Sequence, residues 1–526
     1  MILVRNLRLG IGENEAKLKK LAARALGVRE RAIKSIRIEK RSLDARRKND
    51  IHWLYSVVVM ADDEDKILSR SGSTVARYED FEYIIPTAHS ECRPVVVGFG
   101  PAGMFAALIL SRAGLRPIVL ERGLDAETRA KKVEAFRSGG ELDPECNVQF
   151  GEGGAGTFSD GKLATGIRDR RIKFVLRTFY NNGASEEILY DAKPHVGTDK
   201  LIGIVQGVRR EIISLGGEVC FGAKLTGIKA QNNRLEGVVY TDICGEHELR
   251  CTDMILAIGH SARDTFKMLF DMGIPMQPKA FSMGVRIEHR QSDINSAQYG
   301  ENYPDLPPAD YSLSVHLPDG TSAYTFCMCP GGEVIAAASE PGGVCTNGMS
   351  NSRRDSENAN SALLVSLAPK DFPYHGALGG VRWQREIEQK CFALGEDYLA
   401  PAQKVGDFLH REKSTGAGRV RPSYRPGVHW CELHELLPER ITAVLEAALP
   451  ELGRKLKGFD DPDAVLTAPE TRSSSPVRIL RGDDRESELR GIYPCGEGAG
   501  YAGGITSAAV DGMKCAEAII EKYQEN

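Results

Sequence analysis

Three glycines at the spacing Gly98-x-Gly100-x-x-Gly103 are the residues of this sequence best suited to hold an anionic ligand. Residues 95–97 (VVV) predict a short buried strand before them, and residues 104–113 predict a helix after them. The first glycine permits a tight turn, the second lets backbone approach a pyrophosphate, and the third allows the helix to pack closely on the strand. The N–H groups at the helix N-terminus then face the phosphates. The segment predicts a dinucleotide-binding site.

An acidic residue at the expected distance supports this interpretation. Glu121 ends a second predicted strand, residues 116–121, and lies 18 residues after Gly103. Gly114 is expected to end the intervening helix as a C-cap. A carboxylate at this position accepts hydrogen bonds from ribose hydroxyls and repels a 2′-phosphate. The expected nucleotide is therefore an adenosine without that phosphate.

Three later segments indicate a longer ligand than NAD. Residues 151–162 (GEGGAGTFSDGK) are glycine-rich, with Thr157 and Ser159 as extra donors; a flexible surface loop is the alternative. Residues 250–262 predict a strand that ends in a turn at Gly259. Residues 491–508 predict a strand, the acidic Glu497 and a helix beginning near Ile505, whose N-terminus could face a flavin pyrimidine. These segments favour FAD.

In this order the four segments resemble the FAD-dependent oxidoreductases with one Rossmann unit and an inserted substrate domain. That group includes the p-hydroxybenzoate hydroxylase and geranylgeranyl reductase types. The segments QFGEGGAGTFSDGKL and YPCGEGAGYAGGI, with a small basic N-terminal module, are more similar to a family labelled FAD-dependent or NAD-utilising dehydrogenases. The sequence departs from the commoner Gly-Asp form of the terminal motif, since Glu497 takes the acidic place.

The resemblance implies FAD as the cofactor, bound by residues of all four segments. The residues expected to contact it are Gly98, Gly100, Pro101, Ala102, Gly103, Glu121, Arg122, Gly153, Gly154, Thr157, Ser159, Gly161, Lys162, Ala257, Gly259, His260, Gly496, Glu497, Gly503, Gly504 and Ile505.

The cysteines give little support for metal or structural disulfide chemistry. The sequence holds 12 cysteines but neither a paired CxxC motif nor the CxxxxC of disulfide reductases, and no metal site is expected. A second GxGxxG unit is also missing, so NAD(P)H is expected to act as a transient reductant over the flavin. Cys327 and Cys329 would share one face of a strand. Two core thiols are the favoured interpretation, and a redox pair is the alternative.

Changes of sequence texture divide the chain into four parts. Residues 1–88 predict a small basic α+β module, with strands near 2–7, 33–38 and 51–60 and a helix near 13–25. Residues 94–275 and 441–526 are expected to form an FAD-binding domain, and residues 276–440 an inserted substrate domain. The expected fold class is α/β: a three-layer Rossmann-like domain, a mostly antiparallel substrate domain with helical inserts, and the α+β module. Within the insert, residues 343–358 are expected to form a loop or mobile flap.

The bulk composition is that of a globular protein. The chain has 526 residues, is 42% hydrophobic and 27% charged, and carries a net charge of -4. No apolar stretch is long enough for a membrane span, and residues 1–8 lack the apolar core of a signal peptide, so a cytoplasmic location is expected. Residues 1–50 contain 15 Lys/Arg against 6 Asp/Glu. A solvated or docked face is favoured over a nucleic-acid site, because no RNA-binding aromatic motif accompanies the charge.

The favoured function is an FAD-dependent dehydrogenase or reductase acting on a small-molecule substrate held between the inserted sheet and the flavin. A flavin monooxygenase and a flavin-binding RNA-interaction or structural protein are the alternatives. A basic turn formed by Arg419, Arg421 and Arg425 could hold a carboxylate or phosphate, although a solvated loop is favoured. The catalytic residues, the substrate and the oligomeric state stay open. Candidate polar groups near the substrate are Lys162, His260, Arg286, Arg382 and Arg421.

Overall fold

The computed structural model describes residues 1–70, 72–301, 303, 306–395 and 398–524. The N-terminal part forms an antiparallel sheet of four strands in the order β2-β3-β1-β4. One face of this sheet is covered by α1, whose Leu18, Ala22 and Leu26 are buried at helical spacing. The elements are β1 (Ile2–Gly10), α1 (Lys17–Leu26), β2 (Ile33–Asp44), β3 (His52–Ala61), α2 (Glu64–Leu68) and β4 (Val75–Arg77).

The basic residues of this N-terminal sheet are largely engaged by carboxylates. Arg41 of β2 donates to Asp191 through Nε at 2.7 Å and through Nη2 at 3.1 Å. The same guanidinium lies over the rings of Trp53 and Tyr190. In the reverse sense, Glu39 of β2 pairs with Lys173, which lies outside this sheet, at 2.6 Å. These contacts agree with the interpretation of a face docked on the rest of the chain.

The middle of the chain begins with alternating strands and helices and continues with a small antiparallel sheet. The glycine motif lies between β5 and α3, as the sequence predicts. The elements are β5 (Val95–Val97), α3 (Pro101–Arg112), β6 (Ile118–Glu121), α4 (Ala126–Arg137), α5 (Arg171–Asn181), α6 (Thr198–Ser214), β7 (Glu218–Phe221), β8 (Lys224–Gln231), β9 (Arg234–Asp242), β10 (Gly245–Arg250), β11 (Met254–Leu256) and α7 (Arg263–Asp271).

The remaining chain is richer in strands and ends in a long helix. Its elements are β12 (Met276–Pro278), β13 (Phe281–Arg290), α8 (Gln291–Tyr299), β14 (Ser314–His316), β15 (Ser322–Cys329), β16 (Glu333–Ala336), β17 (Thr346–Met349), β18 (Asn358–Leu367), α9 (Gly379–Gly395), β19 (Ala400–Lys404), α10 (Val405–His410), β20 (Val428–Trp430), α11 (Glu439–Lys455), β21 (Val465–Glu470), β22 (Val477–Ile479), β23 (Ile492–Pro494) and α12 (Ile505–Tyr523).

Two large sheets face the centre of the molecule. The parallel sheet has the order β23-β11-β5-β6-β7, and all its strands run in one direction. The mixed sheet has the order β14-β15-β18-β13-β21-β19-β20 and is antiparallel except where β19 meets β20. The expected α/β class with a mostly antiparallel second sheet is confirmed.

The chain segment after residue 440 contributes to both large sheets. Strand β21 pairs with β13 and β19 in the mixed sheet, whereas β23 forms an edge of the parallel sheet. Between the two sheets, β12 and β22 pair with each other as an antiparallel ribbon. The residue pattern does not reveal that this segment joins both sheets, because each of its strands is short.

The segment 343–358 is a loop only in part, whereas its polar composition predicts a loop or mobile flap throughout. Residues 346–349 form β17, which pairs along its whole length with β16. Residues 350–357 have no regular secondary structure, as predicted. Among the described helices, none has both the length and the apolar character that crossing a membrane requires.

Candidate functional site

A cavity of about 570 Å³ lies between the parallel and mixed sheets. One side is formed at the carboxyl ends of β5, β6 and β11, where ligands bind in open α/β sheets. The other side is formed by β15, β17 and the end of β21. All four segments predicted from the sequence reach this cavity.

Bare backbone forms the end of the cavity beside α3. Gly98 has φ +93°, and a Cβ there would lie 2.4 Å from the carbonyl oxygen of Ala257. A Cβ on Gly103 would lie 1.9 Å from the oxygen of Gly98, so the predicted close packing of helix on strand is present. A Cβ on Gly154 would lie 2.8 Å from Cα of Gly100. Two glycine loops therefore meet beside the helix N-terminus, a cradle suited to a diphosphate.

The Glu121 carboxylate is fixed at the end of β6 by three backbone N–H groups. Oε2 accepts from Phe99 at 2.7 Å, and Oε1 accepts from Gly123 and Gly151, both at 2.9 Å. The side chain is 4% exposed and still lines the cavity. A carboxylate accepts about four hydrogen bonds, so one position stays free for a ribose hydroxyl. The ribose role predicted for Glu121 fits this geometry, but the residue also ties three loops together.

Most of the residues expected to contact FAD lie on the cavity wall. These are Gly98, Gly100, Pro101, Ala102, Glu121, Arg122, Gly154, Ser159, Gly161, Lys162, Ala257, Gly259, His260, Glu497, Gly503, Gly504 and Ile505.

The other four lie behind the wall and shape it through packing. Gly103 lies under the turn, as described above. A Cβ on Gly153 would lie 2.0 Å from Oγ1 of Thr157, and one on Gly496 would lie 2.7 Å from Cβ of Ala102. The Thr157 hydroxyl donates to the oxygen of Glu152 at 3.2 Å, so it is not the ligand donor that the sequence suggests.

The glycine-rich loop carries a charged cluster toward the mixed sheet. Asp160 is fully buried and accepts from Arg354 Nε at 3.0 Å and from the Ser350 hydroxyl. Lys162 Nζ lies 3.9 Å from Asp160. The hydroxyl of Ser159 donates to Gly156 at 2.7 Å and accepts from Gly161 at 3.0 Å, so it closes the loop on itself. The cluster places two cations on the cavity wall around one buried carboxylate.

The N-terminus of α12 meets the cavity beside an unusual carboxyl group. The helix begins at Ile505, as predicted, and Gly504 N donates to Glu497 Oε2 at 3.4 Å. Burial raises the pKa of Glu497 to about 7, and the bond from Gly504 and the charge of Lys279 oppose this rise. Glu497 therefore gains or loses a proton near neutral pH.

His260 presents a neutral imidazole to the same cavity. Burial lowers its pKa to about 3, and the charges of Arg472 and Arg263 add to the effect. Its Nδ1 lies 3.0 Å from the Ser261 hydroxyl. The two arginines are held by buried Glu388, which accepts from Arg263 Nη1 at 2.8 Å and from Arg472 Nη2 at 2.7 Å. Burial, with these fixed arginine charges as the smaller cause, keeps His260 uncharged.

Of the five candidate polar groups, Lys162 and His260 line the cavity and the three arginines do not. Arg286 is fully buried behind the wall, where it donates to Glu470 at 2.9 Å, to Asn347 at 2.9 Å and to the Cys327 carbonyl at 3.1 Å. Those three partners do line the cavity. Arg286 thus supports the cavity wall from behind, because its guanidinium donates hydrogen bonds to these three residues.

The remaining arginines lie on the outer surface. Arg382 pairs with Glu386 at 3.1 Å, one helical turn away, and Arg421 is exposed. Arg419 pairs with Asp293 at 2.7 Å, and Arg425 pairs with Glu134 at 3.2 Å. These contacts agree with the interpretation of the basic turn as a solvated loop.

Sequence reasoning missed most of the wall formed by the mixed sheet. The missed residues that line the cavity include Gln149, Tyr311, Asn347, Arg354, Glu470 and Arg472. Two of them, Asn347 and Arg354, belong to the polar segment 343–358. The mix of small residues and arginines in that segment is the one feature of the sequence that could have indicated a binding wall.

One group of side chains in the described part of the chain is close enough to hold a metal ion, namely Cys495, Asp511 and Cys515. Asp511 already accepts from Arg481 Nη2 at 2.6 Å and from Nη1 at 3.0 Å. The ion pair accounts for the buried carboxylate without a metal.

Comparison with known proteins gives family-model matches to two separate parts of the chain. Residues 280–473 match a family model described as FAD-dependent protein, C-terminal domain-like, and residues 1–60 match a domain of unknown function. An uncharacterized protein of Clostridium beijerinckii is 48% identical over 533 residues, covering 99% of each chain. Aklavinone 12-hydroxylase RdmE of Streptomyces purpurascens is 28% identical over 177 residues, 32% of each chain.

Among solved structures, a geranylgeranyl bacteriochlorophyll reductase-like protein of Thermoplasma acidophilum matches with a TM-score of 0.37 and 13% identity. The match covers 82% of this chain and 80% of that one. The bare-backbone cradle and the fixed carboxylate of Glu121 suit a dinucleotide. The chain belongs to the same family as the Clostridium beijerinckii protein, and, with the FAD-dependent family model over residues 280–473, it is an FAD-dependent oxidoreductase.

Proposed function

We propose that this oxidoreductase is a dehydrogenase or reductase that moves hydride between FAD and a small molecule held against the mixed sheet. The observation that carries this proposal is the continuity of one cavity. It runs from the glycine cradle at Gly98 and Gly100 to a polar wall that includes Asn347 and Arg354. A cofactor and a substrate can therefore share one enclosed space.

The end of the cavity beside α3 and α12 offers a suitable group for each part of FAD. In the proposed arrangement the N-terminus of α3 holds the diphosphate and Glu121 binds the adenosine ribose. The loop at Gly154 follows the ligand, and the N-terminus of α12 faces the flavin. When bound, FAD supplies the electron transfer that side chains cannot perform.

Residues of the chain would handle protons and orientation. Glu497 holds or releases a proton near neutral pH because burial raises its pKa to about 7. Lys162 and Arg354 offer donors to an anionic group of the bound molecule. His260 stays neutral, and with Nδ1 at the Ser261 hydroxyl it offers its other ring nitrogen without adding charge.

The thiol of Cys327 on the cavity wall favours a dehydrogenase or reductase over a monooxygenase. Accessible thiols are oxidised to sulfenic acid and beyond by activated oxygen. A site that activates oxygen at every turnover would inactivate a thiol placed there. NAD(P)H is the proposed reductant, binding transiently from the side of the mixed sheet.

Anaerobic titration of the FAD-loaded protein with NADH and with NADPH tests the proposal. We expect one of them to bleach the flavin absorbance without oxygen or a further substrate. NAD(P)H consumption that requires both oxygen and an aromatic compound would assign the monooxygenase instead. A flavin that neither nucleotide reduces, under conditions where dithionite reduces it, would contradict the role of NAD(P)H.

A further inference from the structure

The two cysteines of β15 occupy different environments, contrary to the favoured interpretation that both are core thiols. Cys329 is fully buried, whereas Cys327 is partly exposed and lines the cavity. The pairing of β15 with β18 shifts register between Phe326 and Cys329, and Cys327 has φ +43°. A bulge of this kind re-aims a side chain, and a positive φ is costly for a residue other than glycine. The irregularity turns the Cys327 thiol toward the ligand space.

The same bulge holds the two cysteines close along the strand. One residue separates them, and Cys329 Sγ lies 3.3 Å from the Cys327 carbonyl oxygen. That carbonyl also accepts from Arg286 Nη1 at 3.1 Å. The buried thiol is therefore held against the backbone of Cys327 by fixed contacts within the sheet and not by a flexible loop.

The charges around the pair favour a thiolate at Cys327. The hydrogen bond from Cys329 lowers the pKa of Cys327, burial opposes this, and Lys162 and Arg286 add to the lowering while Asp160 opposes it. The pKa of Cys329 is raised, first by its bond to Cys327 and then by burial. One accessible thiolate beside one buried thiol is the usual arrangement of an attacking and a resolving cysteine.

The pair also lies near the residues expected to surround the flavin. Lys162 and Glu497 belong to two separate cofactor segments, and both line the same cavity as Cys327. The charge of Lys162 lowers the pKa of Cys327, and Cys327 in turn raises that of Glu497. In the proposed arrangement these two segments surround the flavin, so the Cys327 thiol shares its space.

We propose that Cys327 and Cys329 form a redox-active dithiol–disulfide pair that exchanges two electrons with the bound flavin, an inference that rests on the proposed function. In one direction NAD(P)H would supply two electrons through bound FAD, and the Cys327–Cys329 disulfide would take up these two electrons and two protons. Its S–S bond would break and two thiols would form. The thiolate of Cys327 then attacks a disulfide-containing small molecule, Cys329 resolves the mixed disulfide, and two substrate thiols leave.

A second pair of thiols in the protein provides a matched control. The sulfur atoms of Cys495 and Cys515 lie within 4.8 Å of each other, and both residues are buried. Burial raises the pKa of Cys495, and the neighbouring Asp511 carboxylate disfavours a thiolate further. We expect this pair to stay reduced and to take no part in electron exchange.

The test is an anaerobic dithionite titration of the FAD-loaded protein after mild oxidation with ferricyanide and its removal. Wild type and Cys515→Ser should take up about four electrons per FAD, because a flavin and a disulfide each accept two. Cys327→Ser and Cys329→Ser should take up about two. Uptake of only two electrons by the wild type would overturn the proposal.

Alkylation and mass spectrometry of the oxidised wild type provide a readout that needs no variant. A peptide carrying a Cys327–Cys329 disulfide is expected, and recovery of both cysteines as alkylated thiols would contradict the proposal. Dithionite bypasses NAD(P)H, so this result is separate from that of the nucleotide titration. Bleaching by NAD(P)H together with two-electron uptake would leave the proposed function standing and remove the thiol pair alone.

Discussion

The two ends of the cavity are built in different ways. The cofactor end is made of backbone from a few continuous segments, with glycines where a Cβ would collide and one carboxylate fixed by N–H groups. The opposite wall is made of single side chains from β15, β17, β21 and the residues between them, supported from behind by Arg286. A site made of backbone can therefore be recognised from the spacing of its glycines in the sequence. A wall made of side chains depends on the pairing of strands that are far apart in the sequence.

The largest effect is expected from filling the glycine cradle. In Gly103→Val the new Cβ meets the Gly98 carbonyl oxygen at 1.9 Å, so α3 must move away from β5. We expect loss of bound FAD and a drop of roughly 1–3 kcal/mol in the free energy of unfolding. The FAD-to-protein absorbance ratio and urea unfolding measure the two effects.

Gly203 of α6 provides the control, since a Cβ there meets nothing within 4 Å. Gly203→Ala should keep FAD and gain about 0.5–1 kcal/mol, because alanine is the better helix former. If Gly103→Val bound FAD as tightly as Gly203→Ala, the statement that bare backbone forms the cofactor end would be contradicted.

A smaller effect is expected on the side-chain wall. Arg354→Gln removes one of the two cations beside Asp160 without touching the glycine cradle. We expect unchanged FAD content and a roughly tenfold rise in the NAD(P)H concentration that gives half-maximal flavin reduction, as loss of one charge-assisted bond implies. Arg382→Gln, on the outer surface, should change neither quantity. Equal behaviour of the two variants in stopped-flow reduction would contradict the proposed position of NAD(P)H.

The smallest effect is expected from the ionisation of Glu497, which lies between the two ends of the cavity. Because burial raises the pKa of Glu497 to about 7, this group is neutral below that pH and ionised above it. Ionisation adds a negative charge beside an anionic ligand, so FAD affinity should fall as pH rises, by at most about tenfold per unit. Fluorescence titration of FAD into the flavin-free protein at several pH values measures this. Glu497→Gln should show a flat profile, and a slope equal to that of the wild type would assign the effect to another group.

The sequence predicts the cofactor end well because steric rules act locally. The strand at 95–97, the turn at Gly98 and the helix start at Ile505 all follow from residue type and spacing. The place of Glu121 at the end of a strand is also predictable, but its three N–H donors, from Phe99, Gly123 and Gly151, belong to separate turns whose meeting residue spacing does not show.

The wall formed by the mixed sheet cannot be predicted from local residue type and spacing. Cys327 looks like a core residue of a regular strand, and only its pairing with β18 creates the bulge that turns it outward. Arg286, Arg382 and Arg421 are equally polar in sequence, and burial alone separates the supporting residue from the two on the surface. The strand β17 is likewise hidden in a polar run, since its stability comes from β16.

The paired strands β12 and β22 have a consequence for how the two large sheets are held relative to each other. The chain leaves the parallel sheet through one of them and returns through the other, and they are hydrogen-bonded side by side. Each crossing of the chain therefore fixes the register of the other. A displacement of one cavity wall along the other would break this ladder of hydrogen bonds, so the ladder opposes such sliding.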